Sequence, residues 1–357
     1  MRDILYVNPY VATGGRLGTL QLPEPYVLAA RFFFCGMIDR TGTLDTGFPY
    51  RVMDPIPKAT NSPLTFEDIS DAIGEELIDR ALTDNKEIQV LWSGGIDSTL
   101  VLIALLKAAE RRGKTDLIEV VLTIDSIQEY SEFYAQHIHN RLRIRPVAHP
   151  VFGYLDDDKI IVTGEHGDQL FGSDYLAKFV PTGTAWLPYK DVLPLIITGK
   201  LGDPDQADVV MDYLRPQIAK APVLIETVFD LFWWLNFSLK WQHVTFRTVI
   251  YRRKNHRKTY DTLCHFFRDP RFQNWSLTNR DKVIGGDWDS YKYVAKQYIF
   301  DYTNDERYFR HKRKEVSLWG YSQETERNWG RLREAIYMFD DFHPHHDVYA
   351  LKDDWEH

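Results

Sequence analysis

From residue 87 onward the chain alternates short apolar runs with helix-patterned stretches, and this alternation limits the fold more than any other feature. EIQVLW (87–92) reads as a buried strand, and it passes through Gly94 and Gly95 into a helix over Ser98–Arg112. That helix is almost wholly apolar through Leu106 and is stopped by Gly113. LIEVVLTI (117–124) reads as a second strand, and EYSEFYAQHIHNRL (129–142) as the helix after it. RPVAHPVF (145–152) reads as a third strand and KIIVT (159–163) as a fourth. Strand–helix repeats of this length predict parallel strands joined by right-handed crossovers, an α/β fold on a doubly wound parallel sheet.

On either side of this core the pattern changes. Residues 1–64 are rich in Gly, Pro and aromatics and read as a small segment of short strands and turns. LTFEDISDAIGEELIDRAL (64–82) then opens the core with a helix, with Thr65 as N-cap and Asp68 completing a capping box. Phe66, Ile69, Ile73, Leu77 and Leu82 form its apolar stripe. The core is expected over 65–180 and a helical lobe, with a tail, over 181–357; FDLFWWLNF (229–237) reads as helical core. A net charge of −8, spread over both signs, argues against a nucleic-acid or anionic-membrane binder. Only two cysteines are present, Cys35 and Cys264, too few for a disulfide framework or a four-cysteine zinc site. MRDILYVNPY has no apolar core of a signal peptide, and no run reaches the length of a membrane span, so the cytoplasm is the expected location.

VLWSGGIDS (90–98) carries the chemistry. In an open parallel sheet, ligands gather at the carboxyl ends of the strands. There Gly94 and Gly95 allow a tight turn, while Ser93 and Ser98 offer hydroxyls. The helix that follows turns its unpaired amides and positive dipole end to the same spot, a setting for phosphate. No lysine follows the glycines, so this is not the GxxxxGK[ST] loop. Asp97 instead places a carboxylate beside the phosphate, which a divalent cation such as Mg²⁺ would reconcile. KIIVTGEHGDQ (159–169) repeats the strand, glycine turn and acidic helix start, and so brings Asp168 to the same sheet edge; a plain N-cap role for Asp168 stays open.

The Ser-Gly-Gly-x-Asp-Ser stretch resembles the signature of the ATP pyrophosphatases, enzymes that split ATP between its α and β phosphates. TGEHGDQLFGSDY (163–175) narrows the resemblance to asparagine synthetases and their β-lactam synthetase relatives, matching at Gly164, Glu165, Asp168, Leu170, Phe171 and Gly172. The departures are His166-Gly167 for Gly-Ser, Gln169 for Glu, and Ser173-Asp174 before Tyr175. The resemblance implies ATP held by the 93–98 loop, Mg²⁺ on Asp97 and Asp168, and Glu165 as proton acceptor from an attacking amine; a structural salt bridge for Glu165 stays open. In 267–299 it implies Lys292 as the lysine that stabilises transition-state charge, with Lys296 in the family's arginine position and Lys282 and Lys296 as fallbacks. Leu91, Thr123 and Ile124 correspond to the adenine contacts, and Gly164 lies beside the nucleotide.

Asparagine synthetases begin with a glutaminase domain whose first residue is a nucleophilic Cys. Residue 2 here is Arg, and Cys35 lies in ARFFFCGMIDR, which reads as core, so no glutamine hydrolysis is expected. The amine would then come from ammonia, from a partner protein that supplies it, or from a second small-molecule or peptide substrate. Two alternatives stay open: another ATP pyrophosphatase-type activity on a nucleobase or small molecule, and a non-catalytic nucleotide-binding relative. Thiolating relatives generally need cysteines, which disfavours the first. HPHHD (343–347) could ligate a metal but reads as a solvated tail, and RTVIYRRKNHRK (247–258) could contact an acidic partner but reads as a solvated helix face.

Overall fold

The computed structural model describes residues 2–149, 151–250, 252, 255–313 and 337–345. Five short strands pair in one all-parallel sheet: β1 (Ile88–Leu91), β2 (Ile118–Leu122), β3 (Arg143–Pro146), β4 (Ile160–Thr163) and β5 (Leu263–His265). Their order is β3-β2-β1-β4-β5. Val90 of β1 stands opposite Val120 on one side and Val162 on the other. All three are 0% exposed, as a strand covered on both faces requires. The chain winds outward from β1 through β2 to β3, then returns to the other flank of β1 for β4 and β5. Winding therefore reverses between β1 and β4, and α/β sheets bind ligands outside the carboxyl ends of the strands at such a reversal.

Helix α1 (Phe66–Asp84) starts as expected, with Thr65 and Asp68 exchanging a capping box. Phe66, Ile69, Ile73 and Leu77 are buried, whereas Leu82 is 41% exposed and lies off the stripe. Helix α2 (Ile96–Arg112) begins two residues earlier than the sequence pattern suggests and ends on Gly113 at φ 62°. The third strand is Arg143–Pro146 and not 145–152, because as an edge strand it is held by charge: Arg143 pairs with Glu87. The stretch 129–142 is not one helix but short turns, including a π-helical turn at Tyr134–Ile138.

The chain forms two compact units, each discontinuous in sequence. The sheet belongs to the unit of Pro57–Asp174 with 258–313; the other comprises Met1–Ile56, Tyr175–Arg257 and 337–345. The division expected at 64/65 and 180/181 differs because β5 pairs with β4 and draws residues after 257 back to the sheet. The other unit is helical, with helices at Tyr189–Leu201, Pro204–Ile218, Val228–Leu239 and Trp241–Ile250. Its N-terminal stretch, expected to be strands and turns, also forms helices at Pro9–Gly14 and Glu24–Phe33. Trp233, Trp234, Phe237 and Trp241 are 0% exposed, and Cys35 is buried, both as the sequence indicated. Of HPHHD, His346 and Asp347 lie outside the described residues, as do Tyr251, Arg253 and Lys254 of the basic stretch. Among the described residues no helix is long and apolar enough to cross a membrane.

Within the helical unit, His243 is stacked on Tyr6 with ring centroids 5.1 Å apart. Burial, then Lys240 and Arg247, lowers its pKa from 6.5 to about 3. The folded state therefore keeps the imidazole neutral while the unfolded state takes up a proton below 6.5. The stabilisation is complete above that pH and is lost as pH falls from 6.5 toward 3, by up to about 1.4 kcal/mol per pH unit. His243→Phe is expected to flatten the stability profile over this window, read by denaturant melts at several pH values; an unchanged slope would assign the acid sensitivity elsewhere.

Candidate active site

The turn after β1 is shaped by its glycines and serines. Gly94 has φ +79°, and a Cβ there would stand 2.4 Å from the Ser126 carbonyl oxygen. Only glycine lets this loop take a left-handed step while packed against its neighbour. Glu129, also against Gly94, forms an ion pair with Lys312, and both side chains are 13% exposed. Ser93 donates its amide N–H to Ser98 Oγ over 3.1 Å, and the two hydroxyls lie 2.9 Å apart. Ser98 also reaches the Gly95 carbonyl at 3.3 Å, so its hydroxyl shapes the loop, while Ser93 is exposed. Gly95 is the N-cap of α2 and offers no side-chain acceptor to the first-turn amides.

The turn after β4 approaches the same helix end. A Cβ on Gly164 would lie 2.8 Å from the Ser98 amide nitrogen, so this backbone packs directly on the start of α2. His166 follows at φ +73° and is 1% exposed; it is the N-cap of a short helix, α3 (Gly167–Phe171). Glu165 lies half-buried between them, its amide N–H donating to Thr163 Oγ1 over 3.3 Å. Thr163 Oγ1 is also 2.7 Å from His265 Nδ1, which ties β4 to β5 beneath the loop.

Asp97, in the first turn of α2, and Asp168, in α3, meet at one point, and Lys292 is there. Lys292 Nζ donates to Asp97 Oδ1 at 2.8 Å, to Asp97 Oδ2 at 2.6 Å and to Asp168 Oδ1 at 2.7 Å. The lysine side chain is 0% exposed, against 17% for Asp97 and 30% for Asp168. Its backbone holds φ +61°, ahead of helix α4 (Tyr293–Thr303). The other lysines lie elsewhere. Lys296 is buried and donates to the carbonyls of Asp289 and Lys312, and burial lowers its pKa against the pull of Asp289 and Asp287. Lys282 is exposed.

Two carboxylates converging on a single point suit a hard divalent cation. Among the described residues no cluster of three or more His, Cys, Asp or Glu forms, so Asp97 and Asp168 are the pair that could hold such an ion here. Leu91 ends β1, and Thr123 follows β2 at the same edge. Thr123 is 5% exposed and its hydroxyl is engaged with Ser126, so of the three expected base contacts Ile124, 66% exposed, presents the open apolar face.

Sequence reasoning missed Gly167, His166 and Tyr291. A Cβ on Gly167 would stand 2.4–2.6 Å from the three carboxylate atoms of Asp97, so the missing side chain is what admits that carboxylate. The His166-Gly167 departure thus contains a left-handed residue and then one without Cβ. Tyr291 is 1% exposed, and its ring centroid is 5.7 Å from Lys292 Nζ. Burial, then Asp168 and Asp97, raises its pKa well above the ordinary phenol range, so the phenol stays protonated. Only its place next to Lys292 could have drawn attention to it.

The fold and site together define an α/β protein with a parallel five-stranded sheet and an acid–lysine–acid cluster at its winding reversal. No model of a known protein family matches the chain, and no curated protein matches it significantly.

Proposed function

We propose that this chain is an ATP-dependent carbon–nitrogen ligase of the AMP- and pyrophosphate-forming kind, built on the ATP pyrophosphatase variant of the parallel-sheet fold and similar to asparagine synthetases. The observation that carries the reading is the meeting of Asp97 and Asp168, from the turns after β1 and β4, on the Lys292 ammonium. In this reading the Ser93–Ser98 loop and the amides opening α2 hold the phosphates of ATP, with Gly164 allowing close approach. Ile124, beside Leu91 and Thr123 at the same edge, faces the adenine. Asp97 and Asp168 hold Mg²⁺, which when bound neutralises phosphate charge.

A substrate carboxylate oxygen attacks the α phosphorus, the bond from that phosphorus to the bridging oxygen breaks, and pyrophosphate leaves with the bonding pair. An amine nitrogen then attacks the activated acyl carbon, AMP departs, and Glu165 accepts the proton the nitrogen loses. Lys292 stabilises the negative charge that builds on phosphate and acyl oxygens, the kind of electrostatic contribution worth several kcal/mol. The amine is ammonia, from solution or a partner protein, or the amino group of a second substrate.

The test is incubation of the purified protein with ATP, Mg²⁺ and a panel of carboxylates, amino acids and peptides, with nucleotide products separated by chromatography. AMP and pyrophosphate in equal amounts are expected with the right pair. ADP as the sole nucleotide product would overturn adenylation.

A further inference from the structure

We propose that the Lys292 ammonium is the resident counter-ion of the Asp97–Asp168 pair, and that a divalent cation gains these carboxylates only by displacing it, which frees the lysine for the phosphate chain. This deepens the ligase reading and rests on it for the use to which the freed ammonium is put.

The geometry leaves the two cations competing for one place. An ammonium has three protons to donate, and Lys292 directs them to Asp97 Oδ1, Asp97 Oδ2 and Asp168 Oδ1 at 2.8, 2.6 and 2.7 Å. A divalent cation held by these two carboxylates would need the place the ammonium fills. Two cations cannot share that point, since like charges at contact distance repel. The lysine side chain is 0% exposed while both carboxylates are open to solvent at 17% and 30%, so a metal ion arrives from the carboxylate side and the lysine yields from behind.

The backbone of Lys292 cannot follow the side chain. Its N–H donates to the Val283 carbonyl over 3.0 Å, and its own carbonyl accepts from the Ala295 and Lys296 amides, each at 3.0 Å. The exchange is therefore a change of rotamers along a four-carbon stem. Lys296 cannot take its place, being held by the carbonyls of Asp289 and Lys312. A bare carboxylate pair would bind metal at any time and leave a free lysine able to act without it; the paired arrangement makes cation loading and lysine release one event.

The probe is Mn²⁺ alone, titrated calorimetrically into the full chain without nucleotide or substrate. Lys292→Met, which removes the competitor and keeps the stem, is expected to bind Mn²⁺ at least tenfold more tightly than the wild type, and adding Asp97→Asn to it is expected to abolish the gain. Equal or weaker binding by Lys292→Met overturns the proposal. Lys292→Arg, which keeps a cation against the carboxylates, must not show the gain; a gain of similar size would mean that shape and not charge was removed, and overturns it too. Should Lys292→Met fold only with Mn²⁺ present, the metal has replaced the ammonium and the proposal stands. Failure to fold at any Mn²⁺ concentration overturns it. Since no nucleotide is present, absence of AMP formation would sink the ligase reading without touching this result.

Discussion

Asp97→Asn is expected to reduce pyrophosphate release by about 10³-fold or more, read by a coupled pyrophosphate assay once a substrate pair is known. The substitution changes almost no volume and removes one charge. That charge acts twice: in the proposed reaction it holds one side of the divalent cation, and before the cation binds it accepts two of the three hydrogen bonds that the Lys292 ammonium donates. Losing a single electrostatic stabiliser typically costs 10²–10³-fold, and here the cation is weakened as well. The fold should survive. Lys292 keeps Asp168 at 2.7 Å, and Asp97 lies at a helix start that is partly open to solvent. A drop of a few degrees in Tm is the expected structural cost, from a buried ammonium left with one carboxylate in place of two. Turnover within tenfold of the wild type would remove Asp97 from the site.

What could be foreseen from the sequence is what local rules decide. A strand that runs into a glycine turn and an apolar helix can only present that turn at the carboxyl edge of a parallel sheet, and two such turns present their acids at the same edge. That Asp97 and Asp168 share one sheet edge therefore followed from pattern, while their pairing on one point was implied by the resemblance. The place of Lys292 did not: its link to Asp97 spans 195 residues, and only a family resemblance singled it out from other lysines. Strand β5 escaped notice because LCH, three residues inside DTLCHFFRDP, is too short to show a period; it is a strand by virtue of β4 beside it. The edge strand β3 was misplaced for the opposite reason, since the apolar residues after it looked more strand-like than Arg143 and Arg145, whose charges anchor it to Glu87 and Glu119. Contacts between distant segments, and edges held by charge, leave little trace in a hydrophobic pattern.

Gly167→Ala is expected to reproduce the activity loss of Asp97→Asn although it adds only a methyl group and touches no charge. The new Cβ would lie 2.4, 2.5 and 2.6 Å from Cγ, Oδ1 and Oδ2 of Asp97, far inside van der Waals contact. A carboxylate at the end of a free side chain would turn aside at small cost. Asp97 is not free: two hydrogen bonds from Lys292 hold both its oxygens, and the lysine's backbone is fixed. Either the carboxylate rotates off the ammonium, or helix α3 shifts and takes Asp168 with it. Both routes separate the two acids, and both defeat a cation that needs them together. The backbone at 167 is ordinary helix, so no penalty of left-handed geometry confuses the reading. Mn²⁺ affinity should fall with activity. If Gly167→Ala binds Mn²⁺ and turns over like the wild type, the carboxylate has room the distances deny it, and the close approach of the two acids is not what the reaction requires.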